Sequence, residues 1–376
     1  MEYDGDAEIK MTALQRSYYD ESMQYVQGID NFQHVIDAAK RCSLVHAVYQ
    51  VVAIQNNYVE CNEAAMANGG FSDMYAGATN EKDTWCLRVR HYGAEVPSET
   101  KGKRHGERAR SMKEEQKALK DLRPLLTKLG KVVDLRNPDC FVYLFNGLKG
   151  KTLLARRIAD GPQVYLIAPP TRICITNTPL CPIAAFSLCN IAGVRDGLSV
   201  LDPYAGSCTT FLAAAMLAPE AKMVGIEISM DRAVNGDDVM RDFESRNLTA
   251  PLALIHGDST DESIRDNARA QIGGDAFDLI VTDPPYGIRE SSNHNEQDPL
   301  SELCDSIARD REAGKPLLKS GGKLVAFVPC TDEERIEECL PTASKLETAG
   351  LELLDMIEQP LNDKLSRWLV SFICTK

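Results

Sequence analysis

The chain has 376 residues, and its 42 Lys and Arg against 55 Asp and Glu leave a formal net charge of −13. That length suits two domains with sizeable cores, no apolar stretch is long enough to cross a bilayer as a helix, and nothing at the start reads as an export signal. The acidic balance excludes non-specific capture of nucleic acid by the whole surface, so any such contact must be local.

Twelve Cys are scattered without a C-x-x-C pair or a nearby pair of His. This predicts reduced thiols in a cytoplasmic or nuclear compartment, with neither a disulfide framework nor a metal site. Residues 1–30 have little sustained periodicity and read as a poorly structured tail. From 31 onward the text is α+β: Val35 to Ala39 is helical, and Leu44 to Val52 is rich in β-branched types. Thr84 to Tyr92 alternates, with Trp85, Leu87 and Val89 on a buried face and Cys86, Arg88 and Arg90 on a basic one. The segment Lys101 to Arg123 holds nine Lys or Arg against four acids. Lys101, Lys103, Arg104, Arg108 and Arg110 within it are the candidate phosphate-facing residues, against the alternative of a solvated helix face. Val132 to Leu135 and Cys140 to Phe145 supply two more strands around the turn at Asn137-Pro138. A first domain over 31–147 results.

Thr152 to Ile158 and Gln163 to Ile167 are read as strands of a hairpin turning at Asp160-Gly161, which makes 148–175 a connector. A helix over 179–193 then opens the second domain, 176–376. Four apolar runs follow, closing at or just before Asp202, Glu227, Asp258 and Asp283. The closing acids lie 25, 31 and 25 residues apart, room for a helix in each gap. That is the rhythm of a parallel sheet with helical crossovers, whose ligands bind beyond the carboxyl ends of the strands where these acids fall. Lys323 to Val328 adds a strand, and Leu351 to Ile357 with Trp368 to Ile373 suits a terminal antiparallel pair.

Two stretches carry chemistry. Asp202-Pro203-Tyr204-Ala205-Gly206-Ser207-Cys208-Thr209 is a small-residue turn before an apolar helix, where backbone N–H groups approach a ligand. It lacks the G-x-G-x-x-G of a dinucleotide site. Glu227 is placed to accept from ribose hydroxyls and Asp258 from an adenine amino group, so the four acids together predict a nucleoside-type cofactor. The second stretch is Asp283-Pro284-Pro285-Tyr286-Gly287. Two prolines stop the strand, while a carboxylate and the Pro284 carbonyl can each accept a hydrogen bond from one planar amino group whose ring stacks on Tyr286.

These residues resemble class I S-adenosylmethionine-dependent amino-methyltransferases. They are more closely similar to the tRNA guanosine-10 N2-methyltransferases, in which an α+β, RNA-binding THUMP domain precedes the catalytic α/β domain. The resemblance rests on Asp283 to Glu290, Ile158 to Gly161, Asn177-Thr178, Gly321 to Leu324 and Ser366-Arg367-Trp368-Leu369, and it covers roughly 40–376. It implies a class I, Rossmann-like catalytic domain behind a THUMP-like one, and S-adenosylmethionine held by Asp202, Tyr204, Gly206, Glu227, Asp258 and Thr178. It further implies catalysis by Asp283, Pro284 and Tyr286 on tRNA, no metal, and a small zinc-binding activator subunit as partner. Rival readings are an amino-methyltransferase acting on DNA or protein glutamine, and a non-catalytic RNA-binding relative. In the family the turn after Asp202 usually reads G-T-G; here Cys208 places a Cβ and a sulfur where bare backbone normally approaches the cofactor.

Overall fold

The computed structural model describes residues 32–68, 84–91, 116–130, 132–176, 179–230, 234–286 and 298–376. The chain divides into two compact units, the break falling between Gly161 and Pro162, with residues 40–44 belonging to the second. No helix among the described residues is long and apolar enough to cross a membrane.

The first unit is a five-stranded sheet in the order β1-β5-β4-β2-β3, built from β1 (Ala47–Gln55), β2 (Thr84–His91), β3 (Val132–Val133), β4 (Cys140–Leu148) and β5 (Lys151–Asp160). The alternation of β2 sends Trp85, Leu87 and Val89 to one face. There they join Val142, Leu144 and Leu154 in a core closed by the helix Tyr58–Ala67 and by helical residues 116–126, which supply Cys61, Ala65, Leu122, Leu125 and Leu126. Asn57 caps the first of these helices by accepting from the Glu60 amide at 3.0 Å. The opposite face is not simply basic as the alternation suggests. Cys86 is fully buried there, alongside a cluster of Tyr49, Tyr143, Phe145, Leu148 and Leu153. Arg88 turns its guanidinium to the Leu135 carbonyl at 2.7 Å. Large rings at Tyr143 and Phe145, the partners of Arg88 and Arg90 in the parallel register, explain the closure.

The expected connector over 148–175 is corrected here. Thr152 to Ile158 lies inside β5, which is hydrogen-bonded to both β1 and β4 and contributes the buried Leu153, Leu154 and Ala155. Its hairpin partner is β4, through a tight turn in which Gly147, Lys149 and Gly150 all take positive φ (84°, 48° and 72°). Glycine is the residue that tolerates such φ, and two within four positions outweigh the single Asp-Gly downstream. Val164–Ile167 is a 3-10 helix rather than a strand.

The second unit is a seven-stranded sheet in the order β11-β12-β10-β9-β6-β7-β8. Its members are β6 (Ser199–Asp202), β7 (Lys222–Glu227), β8 (Ala253–His256), β9 (Phe277–Thr282), β10 (Leu318–Thr331), β11 (Leu351–Asn362) and β12 (Leu365–Cys374). The pairings β6 to β7, β7 to β8, β6 to β9 and β9 to β10 are parallel, as the spacing of the acids predicts. The pair β11 and β12 is antiparallel and attaches through β12 to β10.

Strands buried on both faces need helices on both. One layer is formed by the helices Pro182–Ala192, Thr209–Leu217 and Gly236–Glu244, packed around Phe186, Phe211, Phe243 and Phe327. The other includes Glu262–Ala270 and Pro299–Glu312, around Phe277, Leu303, Ile307 and Phe372. Between those two helices Asp310 accepts from Arg265 Nη2 at 2.6 Å and from Arg269 Nη1 at 2.8 Å, a fully enclosed pairing that fixes their register. The sheet reverses its strand order at β6, with β7 on one side and β9 on the other. This topological switch point opens a crevice outside the carboxyl ends of the strands.

Candidate active site

Asp202, Glu227, Asp258 and Asp283 fall at or just beyond the carboxyl ends of β6, β7, β8 and β9, so the parallel sheet brings all four to one side. The turn after β6 is pulled down onto β7 by the Ala205 amide, which donates to the Ile226 carbonyl at 2.9 Å. Gly225 makes this approach possible, because a Cβ there would stand 2.9 Å from both the Ala205 Cβ and Leu254 Cδ1.

Asp202 is 2% exposed. Its Oδ1 accepts from the Thr282 hydroxyl at 2.6 Å and the Tyr204 amide at 3.1 Å. Burial pushes its pKa up to about 7, against the lowering effect of those two bonds, and the charges of Asp283 and Glu227 add to the rise. The three carboxyl groups therefore share one electrostatic environment. Glu227 braces the turn, with Oε2 accepting from the Gly206 amide at 2.8 Å and Oε1 from the Ser229 amide at 2.6 Å. Each carboxylate oxygen has a second lone pair, so both can still accept from a ribose diol. Asp258 Oδ1 accepts from the Thr260 amide and hydroxyl, each at 2.8 Å. Tyr204 turns its hydroxyl to the Pro299 carbonyl at 2.9 Å.

Cys208 starts the helix Thr209–Leu217 from a left-handed backbone (φ 59°), and its side chain is fully buried in the apolar cluster with Phe211 and Ala184. The sulfur is therefore core rather than lining, and burial pushes the thiol pKa well above its ordinary value. The turn is also held from outside. Arg172, whose side chain is 2% exposed, donates from Nη1 to the Thr209 hydroxyl at 2.9 Å, from Nη2 to the Ser207 carbonyl, and from Nε to Asp242 Oδ2 at 2.8 Å. Asp242 is completely enclosed and also accepts from the Ile173 and Cys174 amides and from Arg246. Sequence reasoning misses this network, since Arg172 and Asp242 lie 70 positions apart with no motif between them.

At the end of β9, Asp283 and Tyr286 are half-buried and Pro284 is buried. The Tyr286 hydroxyl donates to Asp283 Oδ1 at 2.6 Å. Burial pushes the Tyr286 pKa up, and the Asp283 charge pushes it the same way, so the phenol stays protonated and donating. The expected cofactor residue Thr178 and the phosphate-facing Lys101, Lys103, Arg104, Arg108 and Arg110 lie outside the described residues, as do Gly287 to Glu290.

Around the switch point the structure thus groups a turn without a G-x-G-x-x-G run, the acids Asp202, Glu227 and Asp258, and an Asp-Pro-Pro-Tyr ending beyond β9. Residues 169–340 match the UPF0020 family, described as an RMKL-like methyltransferase domain. Among curated relatives the chain is similar to tRNA (guanine(10)-N(2))-methyltransferase TRMT11 of Dictyostelium discoideum, 26% identical over 212 residues, which is 50% of this chain and 40% of that protein. The Homo sapiens protein of the same name is 26% identical over 259 residues, 57% of this chain and 52% of its own length. The tRNA (guanine(10)-N2)-dimethyltransferase of Methanothermobacter thermautotrophicus is 29% identical over 182 residues, 47% of this chain and 49% of that protein. The chain thus spans about half the length of the curated relatives it matches. Among solved structures, TrmN from Thermus thermophilus aligns over 94% of this chain and 88% of its own at 17% identity, with a TM-score of 0.43.

Proposed function

We propose that the protein transfers a methyl group from S-adenosylmethionine to the exocyclic N2 amine of guanosine at position 10 of tRNA. The observation that carries this reading is the grouping of Asp283, Pro284 and Tyr286 beyond β9, beside the turn that Glu227 braces. The acceptor set fits the cofactor: Glu227 suits a ribose diol and Asp258 an adenine amino group, while the turn offers close backbone without a phosphate-binding glycine run. When bound, S-adenosylmethionine supplies an electrophilic methyl on sulfonium.

The chain's own residues do the rest. The N2 lone pair of guanine is delocalised into the ring, so the amine is a poor nucleophile until its two N–H groups are held. Asp283 and the Pro284 carbonyl accept those N–H groups and turn the nitrogen lone pair toward the methyl, an arrangement that stabilises the positive charge developing on nitrogen. Transfer would form the N–C bond as the methyl–sulfur bond breaks, and Asp283 would accept the amine proton released and pass it toward solvent. The Tyr286 ring stacks on the extruded base. The first unit serves as a THUMP-like RNA-binding domain, with Lys101, Lys103, Arg104, Arg108 and Arg110 on tRNA phosphates. A small zinc-binding activator subunit is the partner and the cytoplasm the compartment that this reading carries with it.

The test is mass spectrometry of nucleosides from tRNA incubated with the protein and S-adenosylmethionine. N2-methylguanosine should form with the wild-type chain. With Asp283→Ala it should fall by about 10² or more, the cost of losing one acceptor used in the transition state. A methyl group on another base, or undiminished turnover in the variant, overturns the assignment.

A further inference from the structure

Beside the Asp283 turn lies an arginine that the mechanism above does not use. The β9 to β10 register pairs Thr282 with Ala326, and the β10 to β12 register pairs Pro329 with Arg367, so Arg367 stands two ladders across the sheet from Asp283-Pro284-Pro285. It is 6% exposed. Its Nε donates to Gln359 Oε1 at 2.7 Å, and its guanidinium carbon sits 4.3 Å from the centroid of the Phe327 ring. Its charge also reaches the Tyr286 hydroxyl, the same hydroxyl that donates to Asp283, and works against the rise that burial gives that phenol.

Among the described residues Arg367 makes no ion pair. A buried guanidinium is costly without an anionic or strongly accepting partner. Gln359 and Phe327 fix its plane, and Nε is spent on Gln359. The Nη groups carry four of its five N–H donors. That is a fork held in one orientation, across the sheet from the turn proposed to hold the amine.

The question is which base offers an acceptor to such a fork while presenting an amine to Asp283. Guanine carries N2 and O6 on one edge, with N1–H between them, and its O6 is an acceptor that arginine readily bonds, as it does together with N7 in the major groove. Adenine presents N6–H donors at the corresponding position, which a guanidinium repels. We propose that Arg367 donates to the O6 carbonyl of the target guanine and is the specificity-determining residue of the site. The proposal rests on the guanine-N2 reading above. Arg367 to O6 and Asp283 to N2 then hold the two ends of one edge, with Tyr286 against the ring face.

The experiment uses the full chain and tRNA in which the target guanosine is replaced by 2-aminopurine riboside, which keeps the N2 amine and lacks O6. Wild-type protein should favour guanosine over 2-aminopurine by about 10² or more in kcat/KM, as sites built to bond a substrate group reject analogues that lack it. Arg367→Gln should lower guanosine turnover by a similar factor and leave 2-aminopurine turnover unchanged, so that the ratio collapses toward one. Arg367→Lys should fall between. S-adenosylmethionine affinity of each variant serves as the check on folding.

Equal wild-type turnover of the two substrates overturns the proposal without any variant. So does a variant that slows both substrates equally, which would make Arg367 only a support for Tyr286. If the wild-type protein methylates neither substrate, it is the guanine-N2 reading that fails, and the two failures are thereby distinguished.

Discussion

Replacing Arg172 with methionine keeps most of the side-chain volume and removes the guanidinium that ties the turn after β6 to the helix Gly236–Glu244. Losing one member of a buried, hydrogen-bonded ion pair costs about 3–5 kcal/mol. Asp242 would keep Arg246 Nη1 at 2.9 Å and the Ile173 and Cys174 amides at 2.7 and 3.0 Å. The carboxylate is therefore not stranded, and the low end, about 3 kcal/mol, applies. The Thr209 hydroxyl and the Ser207 carbonyl lose their donor as well. Of the two Trp in the chain, Trp368 lies in β12 of the second unit and Trp85 in the first. Urea unfolding followed by fluorescence in a Trp85→Phe background thus reports the second unit. S-adenosylmethionine affinity should fall about tenfold in parallel, because the turn is no longer held in its binding form. Burial raises the Asp242 pKa, but bonds from the Ile173 amide, Arg172 and the Cys174 amide outweigh it and hold the carboxyl below its ordinary range. With the folded value depressed, the stability it contributes is present above the unfolded pKa of about 3.9 and lost as pH falls through the folded one; the variant should lose less stability in acid than wild type does. A variant within about 1 kcal/mol of wild type with unchanged cofactor affinity would refute the argument.

Asp202 works with the opposite sign. Its folded pKa of about 7 lies above the unfolded value, so the folded state keeps the proton longer and stability from this group falls as pH rises from about 4 to 7, by at most about 4 kcal/mol. Asp202→Asn should flatten that slope in urea midpoints taken across the window, and matching slopes would count against a raised pKa. Glu227→Ala should weaken S-adenosylmethionine binding roughly 10- to 100-fold by calorimetry, as charged acceptors contribute about 1.5–3 kcal/mol each. A wild-type titration would mean that Glu227 only braces the turn. Neutralising Lys101, Lys103, Arg104, Arg108 and Arg110 together should weaken tRNA binding and make its dependence on log salt shallower by roughly 0.7–0.9 per lost phosphate contact. An unchanged salt slope would assign these residues to a solvated face.

The second unit was legible because its signals are local. Each of the four apolar runs carries its acid within a few residues, and the spacing between them leaves only a helical crossover. The helix expected over 179–193 is Pro182–Ala192, and the terminal pair β11 and β12 forms as read. What escaped was tertiary choice. Nothing in Thr152 to Ile158 says that β4 rather than Gln163 to Ile167 will lie beside it; the turn at 147–150 decides that. Cys86 and Tyr143 become core only when the sheet brings their strands together, and the bonds of Arg172 to Asp242 and of Tyr286 to Asp283 are invisible to residue-type patterns. Arg367 could be quoted as part of a resemblance, but its burial against Phe327 and its place beside Tyr286 needed the β10 to β12 register.

Cys208 shows how such a turn can change over generations without being rebuilt. A side chain in the left-handed region costs about 1–2 kcal/mol of backbone strain, and a small apolar group removed completely from water returns an amount of the same order. At φ 59° with no exposed surface, Cys208 has both. Gly and Cys are then near-equal solutions at this position, one relaxed and empty, the other strained and filled, and a lineage can drift between them in either direction through folded ancestors. Serine would keep the strain and give up most of the apolar return, with the Gly206 carbonyl, which the Cys208 sulfur faces at 3.9 Å, as the acceptor near its hydroxyl. The residue with which this chain departs from the G-T-G reading is thus close to neutral in energy, and its sulfur fills core rather than the space beyond the turn.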